Sequence, residues 1–317
     1  MKKTLSLLLS VLMLFTLFSC SEETGSESTG AASGTGSAGG ADLTEQVEDF
    51  INYYSKTPFS SYAEVAAVYS LGISFEAFDI SALFTADKES GTGQKAGAVI
   101  SYALLEKSGI QPDFELYDDF REELSSLGSG ELEKLATVDL CDLALAMICS
   151  ETEYDKNAVL EILTDRQVAG GGISAVEIVS GDDVVAADPD ATAAAMTVFA
   201  IYKSIMNSTV YDNTLMYIYN TADPDDKSFK DSDGNKSAVT TSKTLTALMC
   251  AGISINGQLC ADIKATLDEF RYSPAGDFNG MRDYIGGTKS AEATAEAFMA
   301  FAFSVYGPTW IKLELKA

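Results

Sequence analysis

Six stretches of the chain share one design: a Ser, Thr or Asp start, about ten alanine-rich apolar residues, and often a closing glycine. They are "SSYAEVAAVYSLGI" from Ser60, "QKAGAVISYALLEKSGI" from Gln94, "TVDLCDLALAMICS" from Thr137, "DPDATAAAMTVFAIYKS" from Asp188, "VTTSKTLTALMCAGI" from Val239 and "AEATAEAFMAFAFSVYG" from Ala291. Each is helix-length and apolar nearly all round, so each must be buried, and the small residues let neighbouring backbones approach closely. Successive copies lie a few tens of residues apart, the spacing of helix-pair repeats.

Between the copies run helices of another kind. "DLTEQVEDFINYYSK" sets Leu43, Val47, Phe50, Ile51 and Tyr54 on one stripe, and "QLCADIKATLDEF" does so with Leu259, Ile263, Leu267 and Phe270. Weaker stripes are Phe114, Tyr117, Phe120 and Leu124; Leu160 and Leu163; and Leu215 with Ile218. Buried helices alternating with one-sided ones predict an all-α fold, an α6/α6 toroid with an inner ring of Ala-rich helices and an outer amphipathic ring. An open helix-pair solenoid is the alternative, because periodicity does not show closure.

The segment "RQVAGGGISAVEIVSGDDVVAADPDATAAAMTVFA", Arg166 to Ala200, contains every part of such a junction. Gly170, Gly171 and Gly172 let the chain leave one helix sharply. Pro189 suits a first turn, where no donor is needed, and Asp188 and Asp190 complement the positive end of the next helix. Thr192, with Thr244 and Thr294 in later copies, sits where a hydroxyl can satisfy free N–H groups.

"ILTDRQVAGGGIS" resembles the QW-type repeat of the squalene cyclase and protein prenyltransferase β-subunit superfamily. Leu163, Gln167 and Gly171 occupy its pattern, and Ile173 stands in place of its usual tryptophan. "DPDATA" resembles that family's D-x-D-x-T-A start to an inner helix. The resemblance implies the toroid and makes Gln167, Gly171 and Thr192 structural repeat residues. In the cyclases a D-x-D-D acid protonates the substrate; here Asp188 and Asp190 match two of the acids and Ala191 replaces the last. If the chain were a squalene-hopene-type cyclase with a degenerate motif, Asp190 with Asp188 would be its acid. Exported toroids also resemble cobalamin carriers of the intrinsic factor type, which implies a non-catalytic binder of a cobalamin-like or hydrophobic small ligand, or of a surface protein. Non-catalytic binding is the first expectation and cyclisation the alternative.

The start of the chain adds an address. Lys2 and Lys3 precede an uncharged apolar stretch from Leu5 to Phe18, the order of a secretory signal. "LFSC" resembles the bacterial lipobox through Leu17, Ser19 and Cys20, which implies acylation of Cys20 and attachment to the outer face of a bacterial membrane. The expected organisation is a signal over residues 1–19, a lipidated cysteine and flexible Gly/Ser/Thr linker over 20–41, and the helical domain over 42–317. The domain's tail, "IKLELKA", alternates apolar and charged residues like a strand.

Charge and composition narrow the chemistry. Acids outnumber bases 47 to 21, a net charge of −26, which argues against nucleic acid as a partner. The chain has no histidine, which removes Ser-His-Asp and Cys-His catalysis and the His ligand of a zinc prenyltransferase site. Cys141 and Cys149 are about 12 Å apart on one helix and cannot bond to each other; with Cys250 and Cys260, four buried thiols are expected. "DPDDKSFKDSDGN" from Asp223 lacks calcium-loop spacing and reads as a polar turn. No motif calls for a metal or a cofactor.

Overall fold

The computed structural model describes residues 39–177 and 185–314; Cys20, the 1–19 signal and nearly all of the 20–41 linker lie outside that range. In chain order the helices are α1 (Gly39–Tyr54), α2 (Tyr62–Leu71), α3 (Thr92–Lys107), α4 (Tyr117–Ser125), α5 (Ser129–Leu132), α6 (Thr137–Cys149), α7 (Lys156–Asp165), α8 (Pro189–Ile201), α9 (Ser208–Thr221), α10 (Ala238–Cys250), α11 (Gln258–Glu269), α12 (Ala291–Tyr306) and α13 (Thr309–Glu314). The described strands, β1 (Met281–Arg282) and β2 (Lys289–Ser290), pair antiparallel just before α12.

The six Ala-rich segments form α2, α3, α6, α8, α10 and α12. Each packs on the next, and α12 packs back on α2. This closure decides for a toroid over an open solenoid. Alanine makes it possible: Ala66, Ala67, Ala96, Ala144, Ala146, Ala195, Ala247, Ala297 and Ala300 are all fully buried at helix contacts. Larger side chains there would hold the helix axes apart and open the ring.

Outside the ring, α1 packs on α12, α4 on α3, α7 on α6, α9 on α8 and α11 on α10. The outer ring departs from the expected six helices at one place. Behind α2 the chain runs through an irregular segment, Gly72 to Gly91, with a 3-10 turn at Phe75–Ala77. Phe75, Phe78 and Leu83 still cover the inner helix, but Asp79 caps a turn at Ser81 and Asp87 another at Glu89, and no apolar stripe of helix length connects them. The start and end of the domain meet through aromatic rings: Phe50 of α1 stacks on Phe298 of α12 at 5.4 Å, and Tyr54 stacks on the same ring at 5.4 Å.

The tail is helical where a strand was expected. In α13 Trp310 and Leu313 fall three residues apart on one buried face, and Thr309 Oγ1 donates to Ala66 O of α2 at 3.4 Å. Burial of the one tryptophan against Tyr62 and Phe303 outweighs the alternating pattern, whose last residues lie outside the described range. Cys141, Cys149, Cys250 and Cys260 are buried and unbridged, and burial pushes all four thiols up.

Candidate functional site

The junction between α7 and α8 shows what the glycine triplet and the D-P-D-A-T turn do. Gln167 Nε2, at the end of α7, donates to Val210 O and to Thr214 Oγ1 of α9, both at 2.9 Å, joining adjacent outer helices. Gly171 has φ +98, and a Cβ there would stand 2.3 Å from Asn213 O, so the backbone of α9 occupies the side-chain space. Asp188 caps α8 by accepting from Ala191 N at 2.7 Å. Thr192 Oγ1 accepts from Ile173 N at 2.9 Å and donates to Asp188 O at 2.7 Å, so one hydroxyl fixes the incoming loop to the helix start. Gln167, Gly171, Asp188 and Thr192 are therefore brought together as a joint.

The joint recurs. Thr241 Oγ1 accepts from Phe229 N and donates to Ser237 O; Thr294 Oγ1 accepts from Met281 N and donates to Ser290 O. All three threonines hold the fourth position of their helix. The residue equivalent to Thr192 in α10 is thus Thr241, correcting the expectation of Thr244. Thr244 is three residues farther along, where the first-turn amides are already behind it.

Asp190 behaves differently from Asp188. It reaches from α8 to α10, accepting from Thr240 Oγ1 at 2.7 Å and from Lys243 Nζ at 3.0 Å. It lies on the wall of a cavity at the centre of the ring. Counting from each helix start, the wall uses one periodic face: Val138, Cys141, Asp142 and Leu145 of α6; Asp190, Ala193, Ala194 and Thr197 of α8; Lys243 and Thr246 of α10; Glu296 and Met299 of α12. Asp142, Lys243 and Glu296 are each the sixth residue of their helix, so they lie at one level of the ring. Tyr62 of α2 and Trp310 of α13 complete the wall. The space open to the centre of a water molecule is about 50 Å³, room for a few waters.

The charged groups in this cavity perturb one another. Burial pushes the Asp142 carboxyl up to about 6, even though Tyr62 Oη donates to it at 2.7 Å and Lys243 adds attraction. Burial likewise pushes Glu296 up to about 7; Lys243 opposes this, while Glu292, Asp142 and Asp190 reinforce it. Both side chains keep part of their surface toward the cavity, but protein surrounds the rest. Burial lowers the Lys243 ammonium, yet Glu296, Asp190 and Glu292 more than reverse that and hold it above the ordinary lysine range. Lys243 also bonds Glu292 at 3.3 Å. Near neutrality the cavity therefore combines a fixed cation with two carboxyls poised to hold or release a proton.

A second, polar chamber adjoins the first, and the two share Tyr62 and Asp142. Ser60, Ser61, Thr85, Gln94, Ser101 and Asp139 line it, with Gly93 and Gly97 of α3, and about 390 Å³ of it is open to the centre of a water molecule. A Cβ on Gly93 would lie 2.2 Å from Asp139 Oδ1. Burial raises Asp139 as well. Ser61 and Glu64 fix the α2 edge of this chamber through a reciprocal capping box, in which Ser61 N donates to Glu64 Oε2 at 2.9 Å.

Of the candidate acid and repeat residues read from the sequence, Asp190 reaches the cavity, and of the four cysteines Cys141 does. Asp142, Lys243, Glu296, Tyr62 and Trp310 were not expected there. Their signal was register: three charged residues share the sixth place in their helices, but that alignment emerges only once the helix starts are fixed.

No family model matches the chain, and no curated protein matches it. Among solved structures it is similar to Candida albicans protein geranylgeranyltransferase-I complexed with GGPP, at 11% identity and a TM-score of 0.49 over 87% of this chain and 86% of that one. It is also similar to a family 76 glycoside hydrolase (mannosidase) of Bacteroides thetaiotaomicron, at 11% identity and a TM-score of 0.35 over 73% of each chain. A family 76 glycoside hydrolase from a bovine Bacteroides thetaiotaomicron strain gives 12% identity and a TM-score of 0.39 over 84% of this chain and 78% of that one.

Proposed function

We propose that this chain is an exported toroid, attached to the outer face of a bacterial membrane through an acylated Cys20, that binds a small polar ligand in its central cavity without transforming it. The observation that carries the binding reading is the convergence of Asp142, Asp190, Lys243 and Glu296 on one cavity inside a ring of mostly apolar helices. Ionisable groups brought together in low dielectric are costly to the fold, and binding is a reason for them to be there. A cavity with room for a few waters favours a small polar ligand over a polyprenoid or a cobalamin. The "LFSC" motif and the linker after it support the membrane address.

A cyclase acid at Asp190 has less support. Its carboxylate accepts from Thr240 and Lys243, and Asp188 accepts from an amide of its own helix. An acid–base enzyme acting through Asp142 and Glu296 is the second reading, favoured by their displacement toward neutrality.

The test is a panel of small polar compounds titrated into the mature chain by calorimetry, beside a variant carrying Ala194→Trp to fill the cavity. Binding that this substitution abolishes, with the compound recovered unchanged, is expected. A compound recovered as product, with turnover lost in Glu296→Gln, would replace the binder reading with the enzyme reading. Separately, Cys20→Ala should move the protein out of the membrane fraction; unchanged fractionation and mass would sink the anchor.

A further inference from the structure

Resting on the reading of the central cavity as a binding site, we propose that its ligand is a small organic cation, a primary ammonium on a short aliphatic stem, with the ammonium facing Glu296 and Thr246 and the stem lying toward Trp310 and Met299. The charge balance points this way. Asp142, Asp190 and Glu296 line the cavity against one lysine, and Lys243 is shared among Glu296, Asp190 at 3.0 Å and Glu292 at 3.3 Å. Among the described residues Glu296 has no hydrogen-bond partner, whereas Asp190 and Asp142 each have one or more.

Thr246 supplies an independent observation. The residue is 3% exposed, it lines the same cavity, and among the described residues its Oγ1 finds no hydrogen-bond partner. A buried hydroxyl left unpaired costs stability, and an arriving donor would relieve it. An ammonium has three N–H donors and no acceptor, which suits a carboxylate that accepts no hydrogen bond among the described residues, a second carboxylate and a hydroxyl oxygen. Trp310 and Met299 on the same wall offer apolar surface to an aliphatic stem. An anion would meet the carboxylate surplus, and a purely apolar ligand would leave Thr246 unpaired.

The proton balance follows. The groups facing Glu296 are Tyr54 of α1, Tyr62 of α2, Asp142 of α6, Asp190 of α8, Lys243 of α10 and Glu292 on its own helix. Three of these, Glu292, Asp142 and Asp190, are also acids that oppose the charged state of Glu296, so part of the protein carries a proton on Glu296 or Asp142 near neutrality. Binding of a cation requires the carboxylates, and the displaced proton goes to the buffer. Affinity should therefore rise with pH through about 6 to 7 and level off above it.

The experiment is calorimetric titration of the mature chain with propylammonium, with 1-propanol as the neutral isostere and propionate as the anion, from pH 5 to pH 8 in buffers of differing ionisation enthalpy. Propylammonium should bind at least about tenfold more tightly than either comparison compound, and its affinity should rise about tenfold across the range with proton release. Glu296→Gln should weaken it about tenfold and flatten the pH profile, and Thr246→Val should weaken it severalfold while keeping the profile. Circular dichroism melts confirm that both variants fold; if Glu296→Gln does not, Glu296→Asp takes its place and should shift the profile. Equal binding of 1-propanol, or a pH-independent affinity, overturns the cation while leaving a small-ligand cavity in place. Propylammonium binding that persists in Ala194→Trp overturns both, because the cation is then on the surface. If propylammonium does not bind but another small compound does and is blocked by Ala194→Trp, the cation class alone falls.

Discussion

The two arcs of the inner ring are built to different rules. In the arc α8, α10, α12 each helix has a side-chain cap, Asp188, Ser237 or Ser290, bonded to an amide of its own first turn. Each also has a fourth-position threonine that clamps the preceding loop. In the opposite arc the cap positions of α3 and α6 are Gly91 and Ala136, neither making a side-chain cap bond, and among the described residues α2 has no outer helix following it. The polar chamber lies against that second arc, where Gly93, Gly97, Ala98 and Ser101 leave space. The lesson is a division of labour: one arc repeats a cap and a threonine clamp at all three helix starts, whereas the other fixes α2 by the Ser61–Glu64 capping box and α6 through Thr137 and leaves room at the start of α3.

Glycine substitution should expose the difference most strongly. Gly171→Ala, in the clamped arc, forces a side chain into a positive-φ position and into the backbone of α9, and should cost about 3 kcal/mol or more in urea denaturation. A cost under 1 kcal/mol would show that the joint yields. The threonine clamp comes next. Thr241→Val leaves the buried Phe229 amide without its acceptor and should cost about 1 to 3 kcal/mol, with similar losses at Thr192 and Thr294. No loss at any of the three would dissolve the distinction between the arcs.

The charged level of the cavity gives a smaller effect with a definite sign. Glu296 is raised from 4.5 to about 7, so the folded state holds its proton more tightly than the unfolded chain does. That contribution to stability is complete below the ordinary glutamate range and is lost as pH rises through about 7. Glu296→Gln cannot ionise, so it should be more stable than the parent by on the order of 1 kcal/mol at pH 8 and match it at pH 4. A difference independent of pH would mean that Glu296 is not held neutral by its surroundings. The smallest effect is expected in the open arc. Gly97→Ala sits inside α3, its Cβ would meet only the Tyr62 ring at 3.4 Å, and helix propensity should give a gain of up to about 1 kcal/mol. A loss comparable to that of Gly171→Ala would show that the second arc is as tightly set as the first.

Periodicity determined much of this protein by itself. Six apolar Ala-rich segments had to be buried, one-sided helices had to cover them, and Gly171 and Thr192 announced a joint, because these are local demands of helix burial and helix ends; Gln167 entered through the repeat that the segment resembles. Ring closure, the missing outer helix behind α2 and the helical form of the tail were decided by tertiary contacts: α12 against α2, Phe75 and Phe78 against the core, Trp310 into the ring. The cavity belongs to the same class. Asp142, Lys243 and Glu296 are separated by 101 and 53 residues of chain, and each alone reads as an ordinary charge on a helix. Only the common register of six closed helices sets them at one level, where low dielectric and mutual repulsion give them properties that no local stretch of sequence contains.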